Sequence, residues 1–370
     1  RRQRQMCIRD RPSDNWKLDF NVSYEYGDQG GYPYGLYNKE TGDVAKTAYN
    51  DESSYYRNLL NAGLNVEYQA QNFTLSAVTG YQHLKDLMFL DQDFTAKNTY
   101  TLEQKQRINT ISEEIVMKSK ESHHWQWATG IFGFYQWLNT TAPVTFKEDG
   151  MAMMDQMLGN FIPALVEVPM GPGRNMNIMP ALKVTSARLP INGDFKTPLL
   201  NGALFHQSTF RDLFGIDGVS FTAGLRLDYE KMKMDYNSGT AMDYTIGITG
   251  QMMMNGAPTG KPISMMPETA LTVTSRYQGS ISKDYLQLLP KFALQYDFPK
   301  NLGNVYATVS KGYRSGGYNI QMFSDLLQAS LKNDMMRLTK DEIMSQVPEN
   351  LKDMVNFIPD AGENPDARAA

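Results

Sequence analysis

The stretch VSFTAGLRLDYE, residues 219–230, divides by parity: Val219, Phe221, Ala223, Leu225, Leu227 and Tyr229 are apolar, while Ser220, Thr222, Gly224, Arg226, Asp228 and Glu230 are polar or small. A β-strand sends successive side chains to opposite faces, so this stretch has one apolar and one polar face. The same pattern recurs in KLDFNVSYEY (residues 17–26), LLNAGLNVEYQA (residues 59–70) and KFALQYDF (residues 291–298). Less regular segments at residues 73–90, 102–118, 124–146, 202–213 and 304–318 bring the expected total to about nine strands.

The connections decide between architectures. Tight turns are expected at Gln71-Asn72 and around residues 119–124, 214–218 and 299–303. Between them come long links at residues 27–54, 88–101, 147–200 and 236–284, and again after residue 318. Short and long connections alternate, as in a transmembrane β-barrel with short turns at one end and long loops at the other. A soluble β-sandwich has no reason to keep its long loops at one end. In WQWATGIFGFYQWL (residues 125–138), Trp125, Trp127, Tyr135 and Trp137 share one parity and leave Thr129, Ile131 and Gly133 between them. About ten residues of strand, ~33 Å long and tilted by ~40°, rise ~25 Å, the height of an apolar band between two aromatic girdles.

Composition agrees. The 370 residues are 41% hydrophobic, with 21 Tyr, 17 Phe and 4 Trp, and the formal net charge is −4. Mean hydropathy is negative. There is no basic excess for nucleic acid, and no apolar run of about 18 residues for a membrane helix. A spanning β-strand needs neither. The single cysteine, Cys7, excludes an internal disulfide. Residues 1–11, RRQRQMCIRDR, are strongly basic without strand or helix period; they resemble a translated linker and are set aside from the fold. That leaves residues 12–320 as partial barrel and 321–370 as a truncated outer loop segment. In the latter, Leu326, Leu327 and Leu331 suggest a short helix, and Thr339 with Glu342 suggests a capping box opening another.

Four segments carry a family resemblance: NVYATVSKGYRSGGYN (residues 304–319), GLRLDYEK (residues 224–231), LLPKFALQYDF (residues 288–298) and INTISEEIVMKS (residues 108–119). Each is weak alone, but their order and spacing resemble the recurrent barrel strands of TonB-dependent receptors over roughly residues 15–320. The resemblance implies an antiparallel barrel of about 22 strands with a plugged lumen. It also implies energised import through the TonB–ExbB–ExbD complex, in the bacterial outer membrane and in contact with its lipid. No resident cofactor is implied. The cargo is a scarce nutrient, with an iron chelate such as a ferric siderophore the family's commonest. No plug or TonB-binding segment is visible in the sequence, so the chain reads as an internal part of a longer product. An oligosaccharide or cobalamin importer of the same family, and a passive porin-like channel, are the alternatives.

Within this frame, Tyr313, Arg314 and Tyr318 of KGYRSGGYN fall at a strand's outer end. Arg can pair with an anionic chelate, and Tyr can stack or hydrogen-bond. Against this stands a structural role, with Gly316 and Gly317 permitting a bend at the rim. Met151, Met153, Met154, Met157 and Met252 to Met254 could offer thioethers to Cu(I), although methionine also fills irregular space and histidine and cysteine are scarce. The histidines are His83, His123, His124 and His206, and GxSxG, HExxH and P-loop patterns are absent, so a receptor is expected rather than an enzyme.

Overall fold

The alternating stretches pair into one antiparallel sheet of 15 strands in the computed structural model, which describes residues 2–31, 34–120, 124–159, 162–347 and 352. The first five strands are β1 (Arg2–Ser13), β2 (Trp16–Gly30), β3 (Ser54–Gln69), β4 (Phe73–Asp91) and β5 (Tyr100–Ser119). Next come β6 (Trp125–Thr141), β7 (Val144–Phe146), helix α1 (Glu148–Gly159), β8 (Val166–Gly171), β9 (Arg174–Val184) and β10 (Leu189–Lys196). The chain continues through β11 (Leu199–Arg211), β12 (Val219–Met254), β13 (Ala257–Pro258), β14 (Ile263–Asp297), β15 (Asn304–Ser310) and helix α2 (Met322–Gln346). The wall is an up-and-down meander into which β7 and β10 insert between β5 and β6 at one end. It is part of a barrel: β1 and β15 are its two edges and do not pair with each other among the described residues.

The burial pattern is inside out. Ile115, Ile131, Leu204, Leu227 and Leu288 are directly paired across β5, β6, β11, β12 and β14. All five are exposed, Leu204 at 54% and Leu288 at 50%. A continuous exposed apolar band of this kind marks a surface that meets something other than water. The opposite face of β12 carries Arg226, Asp228 and Glu230, with Asp228 and Glu230 buried.

The long links are not irregular. Residues 147–200 hold α1, β8, β9 and β10, and residues 236–284 belong largely to β12 and β14, which stay paired from Val219–Tyr296 to Gly250–Ile263. At ~3.3 Å per residue, the 36 residues of β12 far exceed what a bilayer needs. The sequence hides this because the apolar parity inverts. Up to Tyr229 the odd residues are apolar and face outward; from Met232 onward the even residues Met232, Met234, Met242, Tyr244, Ile246 and Ile248 are apolar and buried inward. On β14 the outward face changes from Asp284 to the apolar Leu286. The two inversions are in register, since Tyr229 pairs with Leu286 and Lys231 with Asp284.

Above this level the inward apolar face has a core of its own. α2 buries Leu327, Leu331, Met335 and Ile343 as one stripe. Leu331 and Met335 join Met242, Tyr244, Val273 and the α1 residues Met151, Met154 and Leu158. Two expectations are corrected here. The outer segment forms one helix across residues 322–346, not two. Thr339 caps nothing: it is buried mid-helix and shares a 2.9 Å hydrogen bond with the Tyr244 hydroxyl. Likewise β1 takes in most of residues 1–11, set aside for want of a period, and pairs with β2 from Arg2–Tyr26 to Asp10–Leu18. Backbone pairing at an edge needs no apolar face, and Arg9 adds a 3.0 Å ion pair to Asp19.

The tight turns lie where expected, apart from residues 121–123, which fall outside the described residues together with His123. In the β11–β12 turn, Gly218 has φ +81°, and a Cβ there would meet the Asp297 carbonyl oxygen at 2.6 Å. Only glycine fits.

Candidate functional site

β15 ends at Ser310, earlier than the periodicity suggests, and residues 311–319 run as irregular chain against the inner wall. The Tyr313 hydroxyl donates to Asp228 Oδ1 at 2.8 Å. Asp228 also accepts from Asn201 Nδ2 at 2.7 Å and from Arg226 Nε at 2.8 Å. The Arg226 guanidinium lies 5.7 Å from the ring centroids of both Phe132 and Phe205, a cation–π arrangement that holds it flat to the wall. Tyr313 is therefore part of a connected polar network.

Tyr318 lines a cavity of about 370 Å³ together with Gln136, Met232, Gly316, Gly317 and Ile320. Its hydroxyl is buried without a hydrogen-bond partner among the described residues, as is Glu230 Oε1 on the neighbouring wall. Buried polar atoms of this kind are costly unless something satisfies them. Arg314 lies between the two tyrosines in sequence but is exposed, and no hydrogen bond or ion pair holds it among the described residues. The structure thus brings Tyr313 and Tyr318 to the inner wall and leaves Arg314 at the surface.

A second concavity, about 570 Å³, opens between the start of α2 and the inner faces of β5, β7 and β10. Aromatic rings line it: Tyr100 stands 5.5 Å from Phe146, and Phe195 stands 5.2 Å from Phe323. Burial, with Asp93 and Asp325 nearby, pushes the Tyr100 phenol above its ordinary pKa, so it stays a neutral donor. The sequence reading missed this site because Tyr100, Phe195 and Phe323 are scattered over segments taken as loops, and Phe146 is the last residue of an expected strand. The one available signal was that these rings recur in otherwise polar links.

No group of three or more His, Cys, Asp or Glu residues converges on a metal position among the described residues. The methionines do not converge either. Met151 and Met154 enter the helix–sheet core, whereas Met153 and Met157 are exposed. His83 contacts Asn109, and His206 contacts Thr129 and Ser208.

No curated protein matches the sequence. Among solved structures, the chain is similar to the ferric yersiniabactin uptake receptor FyuA from Yersinia pestis at 9% identity and TM-score 0.35, over 83% of this chain and 62% of that one. The match thus spans less than two thirds of that receptor's length. A family model described as TonB dependent receptor-like, beta-barrel, matches residues 8–336, and the chain belongs to that family, in which it supplies barrel wall.

Proposed function

We propose that the protein works in the bacterial outer membrane as a TonB-dependent receptor that takes up a scarce nutrient, a ferric siderophore or similar iron chelate. The observation that carries the reading is the inverted burial of the wall, apolar outside and polar inside over one bilayer height, in a chain of this receptor family. Polar groups on the inner wall, the unpaired hydroxyl of Tyr318 and the aromatic concavity above it supply surfaces for a small, partly aromatic cargo. Iron is preferred because it is the family's most frequent cargo. Energy comes from the TonB–ExbB–ExbD complex. Arg314, exposed near the inner wall, is a first contact for an anionic chelate, and Tyr313 and Tyr318 lie deeper. No catalytic role is assigned, and the family is one of receptors and transporters.

The test is uptake of labelled ferric chelates by cells producing the intact gene product, with and without functional TonB. Uptake that disappears without TonB supports the proposal. Entry of a glycan or cobalamin in place of any ferric chelate overturns the iron assignment alone. Transport that persists without TonB identifies a passive pore and overturns the central claim.

A further inference from the structure

Just above the level where the outward face turns from apolar to polar, three cations share that face: Lys85 on β4 and Lys105 and Arg107 on β5. Lys85 and Arg107 are directly opposed across the strand pair. Like charges in that position repel and weaken the sheet. Both side chains are exposed, and neither has an ion-pair or hydrogen-bond partner among the described residues. Lys105 is paired with Glu103 at 2.5 Å. Neutral donors flank them: Asn58 opposes Lys85, and Asn139 opposes Arg107. Lys85, Lys105, Arg107, Asn58 and Asn139 line a groove of about 580 Å³ in the outer surface, with Asp86 as its one carboxylate. The concentration of positive charge is local, because the whole chain carries a net charge of −4.

Depth gives the groove its meaning. Two residues below Lys85 is His83, and two below that is Tyr81, whose hydroxyl donates to Asn109 at 3.2 Å. Two residues below Asn139 is Trp137, packed edge-on against Tyr135 with centroids 4.4 Å apart. Tyr24 donates to Asn58 at 2.8 Å. Amphipathic rings of this sort settle at the boundary between hydrocarbon and headgroups. The cations stand one step farther out, at the depth of the headgroups.

We propose that this groove binds the phosphate of an anionic lipid headgroup in the outer leaflet, with Arg107 and Lys85 as its main ligands and Lys105 and Asn139 beside them. The proposal rests on the outer-membrane reading above. A phosphate between Lys85 and Arg107 turns their repulsion into two charge-assisted contacts, and the guanidinium fork suits phosphate oxygens. Basic pockets beside membrane-spanning segments recognise anionic headgroups in this way. The lipid's acyl chains would lie along the outward row of β5 that includes Ile111 and Ile115, where the carboxylate of Glu113 between them accepts a 2.5 Å hydrogen bond from Thr79.

The intact protein, purified from outer membranes in detergent, is examined by native mass spectrometry with added diphosphorylated lipid A, phosphatidylcholine or inorganic phosphate. The wild type should retain lipid A selectively. The triple variant Lys85→Ser/Lys105→Ser/Arg107→Ser should bind it about 100-fold more weakly, given what each cation contributes near an anionic surface. Lys261→Ser, at a distant exposed cation, should change nothing, and Lys85→Arg should retain binding. Resistance of the folded band to cold SDS shows that each variant is folded. Equal lipid A retention by the wild type and the triple variant would overturn the proposal, as would inorganic phosphate binding as tightly as lipid A, which would mark a free-anion site. Recovery of the intact protein in the aqueous fraction without detergent would instead defeat the membrane reading on which the proposal stands.

Discussion

Replacing Leu225 with arginine tests the orientation of the wall most directly. Leu225 is outward-facing on β12 and 48% exposed. The boundary of the apolar band lies between Tyr229 and Lys231. Leu225 is about five residues below it, which is ~16 Å of strand and ~13 Å of height at a tilt of ~40°. That is the middle of a band ~25 Å tall, where an arginine facing lipid costs about 2–4 kcal/mol. Ala241, exposed on the same outward face but above the boundary, is the internal control, and Ala241→Arg should stay within about 0.5 kcal/mol. Guanidinium titration of the intact protein in phospholipid vesicles, followed by tryptophan fluorescence, measures both. One ambiguity remains, because arginine in a packed core is also destabilising. Leu225→Phe resolves it: fluid lipid accommodates the larger ring almost freely, whereas a close-packed core pays about 1–3 kcal/mol. Equal costs for Leu225→Arg and Ala241→Arg would refute the inside-out wall, and a large cost for Leu225→Phe would replace lipid with protein as the partner of this face.

Further outcomes follow from the inner side. Leu331→Ala on α2, a residue 2% exposed, should cost about 2–5 kcal/mol and speed amide exchange along α2 without changing the sheet's protection. Tyr313→Phe removes one of three hydrogen bonds to Asp228 and should cost about 1 kcal/mol, read as a lower unfolding midpoint. Tyr318→Phe removes a hydroxyl that has no partner, so stability should hold while cargo affinity falls in a binding titration; a drop in stability with unchanged affinity would remove Tyr318 from the ligand surface. In the β4–β5 loop, burial raises the Asp93 pKa, but hydrogen bonds from Thr95 and Thr99 outweigh it, and the net shift is downward. A carboxylate with a depressed folded pKa contributes stability above its unfolded value of about 3.9 and loses it as pH falls through the folded one. Protection of the Thr95 and Thr99 amides should therefore decline below about pH 4, and Asp93→Asn should abolish that dependence.

How much of this was legible in the sequence follows from what each segment has to satisfy. In residues 17–26 and 219–230 a strand meets lipid on one side and a polar lumen on the other, and period-two alternation states this openly. In the upper half of β12 the alternation persists in the opposite phase and is diluted by Ser238 and Thr240, which are buried inward where an apolar residue would be expected. Their hydroxyls donate to the backbone carbonyls of Asn192 and Pro190 on β10, a tertiary arrangement with no local signal. β1 has no alternation to find, because its partner is β2's backbone. At the candidate site, the tyrosines of KGYRSGGYN were visible as residue types. Their destinations depend on a neighbouring strand: Tyr313 turns inward because Asp228, 85 residues earlier, accepts its hydrogen bond.

A single parity rule governs both faces of the wall at once, and this links what can cover the outside to what must fill the inside. Outward, β12 passes from Leu227 and Tyr229 to Lys231 and Lys233; inward, over the same residues, it passes from Asp228 and Glu230 to Met232 and Met234. Where the outer face must be apolar for lipid, the inner face is left polar and cannot be covered by a hydrophobic helix. Where the outer face meets water, the inner face is apolar and must be covered, and there α1 and α2 pack. The helices therefore stop at the level where the polar lumen begins. The chain that leaves β15 fills that step, bringing Tyr313 to Asp228 and Tyr318 beneath α2. Glu230 Oε1 and the Tyr318 hydroxyl, both buried and unpartnered, lie at this seam. On the proposed import reading, a cargo moving inward would pass from aromatic contacts around Phe195 and Phe323 to hydrogen-bonding contacts there. The seam is thus where the inner wall of this chain changes from apolar to polar contacts.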